Sequence, residues 1–381
     1  MTAVHGADRL AQVLQEHGVE SVFTLCGNHT LRIYQALHDV GIRLVDCRNE
    51  AVAAMAADAA ARLSRRPAVA LVTGGPGLTN ALTGLVTAHG ADSPLILLSG
   101  QNATALDGMG AQQELDQAAA ASALCKWSAV VTEGDQLVPM LRHAFATAMS
   151  GTTGAVHVAL PSDVMTSEGG KEGFWVAPEL PESVVRTEDV AHVAELIRAA
   201  ERPIVIAGAG AFMAGADISL QTLVEQCNIP LFTLDTARGL VPDDHRCVLG
   251  YGDPSFNPAA AHMGDADCVV LIGRRLDFRL RFGDDSVIHP EATLIDIHNA
   301  GAVVDGNRRR ELVATDIDGF LTNLAADLAD YRADDAWLDR LQSDNPLRRP
   351  ETERHVPSSD TPEGLLHPAS VVDALRDAIP P

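Results

Sequence analysis

The sequence predicts an α/β protein built from two doubly wound parallel-sheet domains, and three observations predict it. The chain has 381 residues, enough for two or three domains that each bury a core. From residue 1 to about 165, short apolar runs alternate with amphipathic ones, the pattern of a parallel sheet with helices on both faces. Beyond a polar connector the same alternation begins again.

The amphipathic stretch "RLAQVLQEHG" predicts a first helix, and the apolar run "SVFTLCG", closed by glycine, a first strand. "LRIYQALHDVG" and "IRLVDC" repeat the pair. A long helix follows in "EAVAAMAADAAARLS", then the β-branched strand "AVALVT", the helix "TNALTGLVTAHGA" and the strongly apolar strand "PLILLSG". The block closes on the helix "VPMLRHAFATAMSG" and the strand "AVHVALP". A polar connector containing Gly and Pro, roughly 166 to 187, separates it from the second block. There "VAHVAELIRAA", "PIVIAGAG", "SLQTLVEQC", "PLFTL", "CVVLIG" and "ATLIDI" restart the alternation. Residues 336 to 364 turn polar and proline-rich, which reads as a linker. The closing "HPASVVDALRDAIPP" has the pattern of one amphipathic helix, too little for a domain. The expected organisation is a domain over 1–168, a second over 185–335, and a linker with a helix over 336–381.

Charge and cysteine usage narrow the class of function. Against 28 Lys and Arg stand 51 Asp and Glu, a formal net charge of −23, which repels nucleic acid and anionic membrane surfaces. The six cysteines, Cys26, Cys47, Cys125, Cys227, Cys247 and Cys268, contain no C-x-x-C pair, so neither a disulfide framework nor a zinc site is expected. The start "MTAVHGADRL" has no apolar signal core, and no apolar run approaches the ~20 residues of a membrane span. The expectation is a reduced, cytoplasmic protein.

Four local features could carry chemistry. In "ALVTGGPGLTNALTG", residues 70 to 84, a strand leads into Gly74, Gly75, Pro76 and Gly77, then into a helix opened by Thr79 and Asn80. That outline commonly holds phosphate, yet no lysine follows as in a P-loop, and the spacing is not G-x-G-x-x-G. By itself it equally suits a tight turn with Asn80 capping locally. Glu50 stands between "IRLVDC" and the next helix, where an acid is ordinary because it complements the helix dipole. In the second block, "IAGAGAFMAGA" places Gly208, Gly210 and Gly215 after a strand, a common turn. "GRRLDFRLRFG" gathers Arg274, Arg275, Arg279 and Arg281 in an otherwise acidic chain. Guanidinium clusters suit phosphates through paired hydrogen bonds, and equally serve to neutralise nearby carboxylates.

Eight fragments in one order, "VFTLCGNH", "GIRLVDCRNE", "AADAAARLS", "VTGGPGLTNALTG", "DSPLILLSGQ", "GAQQELDQ", "SGTTGAVHVALPSDV" and "GRRLDFRLRFG", resemble thiamine-diphosphate enzymes of the acetolactate synthase superfamily. The first and last are nearest to its acetolactate-synthase-like 2-hydroxyacyl-CoA lyases. The resemblance implies a pyrimidine-binding domain over 1–168 and a Rossmann-like central domain over 185–335. It implies a catalytic role for Glu50: in this family a glutamate hydrogen-bonds a ring nitrogen of the aminopyrimidine and favours the imino tautomer, which removes the thiazolium proton to give the nucleophilic ylid. Thr73, Gly75, Pro76, Gly77 and Asn80 match positions around the pyrimidine, where glycine lets backbone approach because it lacks a Cβ. Cys26, Asn28, His29, Gln112 and Gln113 fall on the substrate side. Cys26 replaces a proline, Asn49 a histidine and Gln112 a phenylalanine of the family pattern, so the substrate is not read from these positions. Cys26 reads as a reactive thiol or a small inert hydrophobe, and His29 as a substrate contact or a satisfied histidine. Relatives use the central domain for FAD or the ADP portion of coenzyme A, or leave it empty. Gly208, Gly210, Arg274, Arg275 and Arg279 are the matching nucleotide candidates.

The family grips the diphosphate through Mg²⁺ on a Gly-Asp-Gly motif and a later asparagine, both in a third domain, since magnesium takes oxygen ligands. No Gly-Asp-Gly occurs in the sequence, and "VDGNRRR" at 304–310 lies in the central block. The resemblance therefore implies one subunit of a split enzyme, or a piece of a longer one, acting as carboligase, lyase or decarboxylase on 2-oxo acids or 2-hydroxyacyl compounds. The implied partner is a separate chain carrying the diphosphate domain, in a complex with two copies of each chain. The alternative is a non-catalytic scaffold or regulatory subunit, against which Glu50 weighs.

Overall fold

A computed structural model describes residues 4–168, 175–301, 310–348, 365–366 and 368–379. Two six-stranded sheets, every strand pair parallel, carry the architecture. The first block runs α1 (Gly6–Glu16), β1 (Ser21–Thr24), α2 (Leu31–Asp39), β2 (Arg43–Asp46), α3 (Glu50–Ser64), β3 (Ala68–Val72), α4 (Pro76–Gly90) and β4 (Leu95–Gln101). It continues through α5 (Gln117–Ser122), β5 (Trp127–Val130), α6 (Leu137–Met149), β6 (Val156–Pro161) and α7 (Ser162–Thr166). The second runs α8 (Thr187–Arg198), β7 (Pro203–Ala207), α9 (Ala209–Met213), α10 (Asp217–Cys227), β8 (Leu231–Thr233), β9 (Val248–Tyr251), β10 (Cys268–Ile272), β11 (Thr293–His298), β12 (Glu311–Ala314) and α11 (Ile317–Asp327). After it come α12 (Asp335–Gln342) and α13 (Pro368–Ala378). The strand orders are β2-β1-β3-β4-β6-β5 and β12-β11-β10-β7-β8-β9.

Side chains alternate across a strand, so the central strands of the first sheet feed two cores. Val69, Leu71, Ile96 and Leu98 point to one face, where they meet Leu10, Leu14 and Leu37 of α1 and α2. Ala70, Val72, Leu95 and Leu97 point to the other, against Ala54 of α3 and Leu78 and Leu85 of α4. The second domain has a single large core that includes Ile204, Ile206, Phe232, Val269, Leu271 and Phe320.

The expected fold class is found, with elements that the apolar runs did not mark. Strands β5, β9 and β12 all lie at sheet edges. An edge strand buries less, so it need not be a continuous apolar run: β5 is half-buried throughout, β9 contains Gly250 at φ +89°, and β12 begins on a glutamate. The stretch from 336, expected as linker, opens instead inside helix α12. Asp334 caps it by accepting from the Ala336 N–H at 2.9 Å, and Trp337, Leu338 and Leu341 bury on one face of the second core. Among the described residues, no helix is long and apolar enough to cross a membrane.

The two domains meet through charged side chains. Arg65, which ends α3 in the left-handed conformation at φ +53°, reaches Asp217 at the start of α10 with Nη2–Oδ1 at 2.8 Å and lies 4.1 Å over the Phe212 ring. Arg275 donates to Asp92 across the same boundary at 3.2 Å.

Candidate functional site

Each sheet reverses the direction in which it grows near its centre. The chain goes outward from β1 to β2, then crosses back to β3 on the other side of β1. In the second sheet it goes from β7 through β8 to β9, then back to β10 beside β7. Loops leaving such a pair of strands diverge, and a crevice opens at their carboxyl ends. The first crevice is flanked by residues 26–29 after β1 and 73–77 after β3; the second by residues 208–210 after β7 and 273–275 after β10.

At the first crevice Glu50 is fixed by local helix chemistry. Asn49 caps α3, its Oδ1 accepting from the Ala51 N–H at 2.8 Å, so Glu50 becomes the first helical residue. The residue is only 8% exposed, yet a carboxylate that is nearly buried has a single protein partner among the described residues. Asn80, one turn into α4, donates through Nδ2 to Oε2 at 2.9 Å. Oε1 has no protein partner among the described residues and is not sealed from solvent. Gly77 packs beside it: a Cβ there would lie 2.7 Å from Thr73 Cγ2 and 3.6 Å from Oε1, a close approach of Thr73 to the turn that glycine permits. Gly75 has φ +61° and ψ −114°, and a Cβ on it would stand 2.5 Å from the Gln113 carbonyl oxygen. Gln113 itself has φ +61°. The turn after β3 and the loop carrying Gln112 and Gln113 are therefore in backbone contact.

His29 spans the floor of the crevice with both ring nitrogens engaged. Nδ1 is 2.9 Å from Thr73 Oγ1 and Nε2 is 3.1 Å from Asn102 Oδ1. Asn102 in turn donates through Nδ2 to the Gln112 carbonyl at 2.9 Å. The Gln112 loop is organised by Glu114, whose carboxylate accepts from the N–H groups of Gly108, Gly110 and Ala111, the last two at 2.7 and 2.9 Å. Those amides hold the Glu114 carboxyl below its usual range. The structure thus brings together Glu50, Thr73, Gly75, Gly77, Asn80, His29 and Gln113. Cys26, Asn28, Pro76 and the Gln112 side chain are exposed on the same loops. Neither Asn102 nor Glu114 stands out in the sequence, although both lie within or beside quoted fragments; their role depends on loop geometry that spacing does not reveal.

The second crevice is filled from within. A Cβ on Gly208 would lie 2.7 Å from both Arg274 Cδ and the Gly273 oxygen, and one on Gly210 would lie 2.7 Å from Gly273 Cα. These glycines admit the neighbouring loop. The Arg274 side chain, 7% exposed, donates to Asp235 at 2.6 Å and to both oxygens of Asp277 at 2.6 and 2.7 Å. Burial pushes the Asp235 carboxyl up, but Arg274 outweighs it and holds the group below its usual range. Arg275 is engaged by Asp92, whose carboxyl burial raises despite that neighbour. Arg279 lies 3.9 Å from both Asp235 and Asp253 and 4.8 Å from the Phe278 ring centroid. Arg281 donates to Ser286 at 3.2 Å. A cavity of about 380 Å³ between the domains is walled by several of these groups. Asp235 and Asp277 engage Arg274 and Asp92 engages Arg275, while Arg279 stands 3.9 Å from two aspartates with its Nε lacking a hydrogen-bond partner among the described residues.

Among the described residues, no group of three or more His, Cys, Asp or Glu could hold a metal ion. Residues 304–309 of "VDGNRRR" lie outside the described residues.

Residues 4–120 match the thiamine pyrophosphate enzyme N-terminal TPP binding domain, and residues 190–324 match the thiamine pyrophosphate enzyme central domain. The chain is 33% identical to 2-hydroxyacyl-CoA lyase 2 of Danio rerio over 98% of its own length and 65% of the relative's. It is 30% identical to a probable acetolactate synthase of Mycobacterium bovis over 99% of its own length and 68% of the relative's. With 2-hydroxyacyl-CoA lyase 2 of Homo sapiens the identity is 30%, over 99% and 64%. The chain thus spans about two thirds of the length of these relatives. It belongs to the thiamine-diphosphate enzymes of the acetolactate-synthase-like superfamily.

Proposed function

We propose that this chain is the pyrimidine-binding side of a thiamine-diphosphate-dependent enzyme that makes or breaks a C–C bond next to a carbonyl, by carboligation, lysis or decarboxylation of 2-oxo acids or 2-hydroxyacyl compounds. The observation that carries the reading is Glu50: a carboxylate 8% exposed, with one oxygen held by Asn80 and the other unshared beneath a glycine turn. Oε1 is not sealed from solvent and is free to share a hydrogen with a ligand in the crevice. A flat heteroaromatic ring with a nitrogen to hydrogen-bond would supply that partner. When bound, thiamine diphosphate supplies a carbon nucleophile that attacks carbonyls. Glu50 would hold a proton between its Oε1 and the ring nitrogen, Asn80 would orient the carboxylate, and the Thr73 methyl with Gly77 would form the wall beside it. A scaffold or regulatory subunit has no use for that arrangement.

The charged end of the cofactor calls for Mg²⁺ on oxygen ligands. In this proposal those ligands come from outside the 381 residues, on a separate chain or a further domain with a Gly-Asp-Gly motif, in a complex with two copies of each component. Self-association is supported by exposed apolar side chains on α3 and α4, namely Val52, Met55, Leu63 and Val86. The central domain is proposed as structural, a reading supported by the aspartates that already engage Arg274 and Arg275. We place the enzyme in the cytoplasm, a reading supported by six cysteines that are all free thiols.

Glu50→Gln tests the proposal. It keeps the shape and the Asn80 contact but weakens proton transfer, so turnover of the assembled enzyme should fall by about 10²–10⁴-fold with the fold intact. Turnover within threefold of the unsubstituted enzyme contradicts the assignment.

A further inference from the structure

We infer that Asn102 is a positioning residue that sets the proton on His29 and, through it, the face that Thr73 turns toward Glu50. The inference follows from donor and acceptor roles. The Gln112 carbonyl oxygen can only accept, so Asn102 must present its NH₂ group there, at 2.9 Å. The other end of the same amide, Oδ1, then faces His29 Nε2 at 3.1 Å and can only accept as well. Nε2 must therefore carry a hydrogen. In the neutral ring this leaves Nδ1 as an acceptor, and Thr73 Oγ1 at 2.9 Å must donate to it. Each role is forced by the one before, starting from a backbone carbonyl.

The imidazole has little freedom to escape this arrangement. A Cβ on Gly100 would lie 2.5 Å from His29 Cβ, and one on Gly74 would lie 3.5 Å from Nδ1, so the residue is packed against the ends of β3 and β4. The Thr73 hydroxyl is consequently held on the His29 side of the crevice. At Gly77 it is the methyl that comes nearest: a Cβ there would lie 2.7 Å from Thr73 Cγ2 and 3.6 Å from Glu50 Oε1. With the hydroxyl spent on His29, Thr73 offers Glu50 an apolar neighbour and does not compete for its unshared oxygen. Asn102 also ties the loop bearing Gln112 and Gln113 to that wall, so the substrate-side loop and the Glu50 pocket move as one unit. The meaning of the relay for catalysis rests on the proposed function; the relay itself does not.

Long-range ¹H–¹⁵N correlation spectra of the ¹⁵N-labelled full chain, taken where imidazole is neutral, read the tautomer directly. The His29 signals are identified by their loss in His29→Gln. The unsubstituted chain should show Nε2 protonated and Nδ1 bare. Asn102→Asp, which still accepts at that position, should retain the pattern, and Asn102→Ala should lose it, giving a mixture of tautomers. A native ring protonated on Nδ1, or an Asn102→Ala ring with the native pattern, overturns the assignment. Neither result bears on cofactor binding, which Glu50→Gln addresses separately; equally, a protein with no use for thiamine diphosphate but with Nε2 protonated would retire the proposed function and keep Asn102 in its role.

Discussion

After β3 and after β7 the chain makes the same move. A buried parallel strand at the centre of a sheet ends, glycines turn the backbone, and a helix begins beside a strand that lies on the far side of a reversal in strand order. What stands behind the turn differs. At the first, Gly77 lets the Thr73 methyl pack in beside an unshared Glu50 oxygen. At the second, Gly208 and Gly210 let Gly273 and Arg274 pack in, and Arg274 spends its terminal nitrogens on Asp235 and Asp277. A glycine turn at a switch point thus marks where a neighbour comes close: at the first turn beside an unshared carboxylate oxygen, at the second beside paired charges.

Substituting the glycines is the strongest way to break this contrast. Gly77→Ala puts a methyl group 2.7 Å from Thr73 Cγ2 and beside Glu50. In the assembled enzyme it should weaken thiamine diphosphate binding by 100-fold or more, about 2.7 kcal/mol. Gly210→Ala meets backbone at 2.7 Å instead. It should lower the unfolding midpoint of the second domain and leave the affinity unchanged. Calorimetric titration and denaturant melts of both variants check the pair, and a loss of affinity in Gly210→Ala would show that the second turn is a site as well.

Arg274→Ala should have a smaller effect. It strips Asp235 and Asp277 of charged hydrogen bonds, with both aspartates partly in water, and should cost about 2–3 kcal/mol of stability. Cofactor affinity and turnover should not move, and a urea melt beside an activity assay tests both halves of the statement.

Acid should separate the domains more gently. In the first domain burial lowers His89, His143 and His157, the last to about 3 from an ordinary 6.5. His157 is fully buried between the Ser99 and Ser128 hydroxyls at 2.8 and 2.9 Å. These rings stay neutral when folded but take up protons when unfolded, so the first domain loses stability as pH falls below about 6.5. Asp235 is held below its ordinary 3.8, so the stability it contributes is complete above 3.8 and is lost only as pH falls through its lower folded value. Hydrogen exchange mapped by domain should show the first domain opening at the higher pH. The second opening first would contradict the burial of these histidines.

Much of the fold was legible because parallel sheets bury their central strands on both faces, and "AVALVT", "PLILLSG", "PIVIAGAG" and "CVVLIG" say so in composition alone. The edge strands β5, β9 and β12 were silent for the converse reason. Helix α12 was hidden by its surroundings: Trp337, Leu338 and Leu341 sit in a polar, proline-rich stretch whose average character outweighs them. At the site, Glu50 and the glycine turn were legible only through resemblance, since a first-turn acid and a turn glycine are each ordinary. Asn102 was not legible at all, because its partners Gln112 and His29 are 10 and 73 residues away and meet it only in the folded chain. The arginines of "GRRLDFRLRFG" left two readings open, and the aspartates near them, Asp92, Asp235 and Asp253, are each distant in sequence.

The central claim is that this chain holds the pyrimidine end of the cofactor while the diphosphate and its Mg²⁺ are held from outside it. Calorimetric titration of thiamine diphosphate with Mg²⁺ tests it most directly, into this chain alone and into the chain mixed with a partner bearing Gly-Asp-Gly and the later asparagine. The account predicts no saturable binding to the chain alone up to about 1 mM, some 4 kcal/mol of association free energy, and stoichiometric binding once the partner is present. Tight, stoichiometric binding by this chain alone would contradict it.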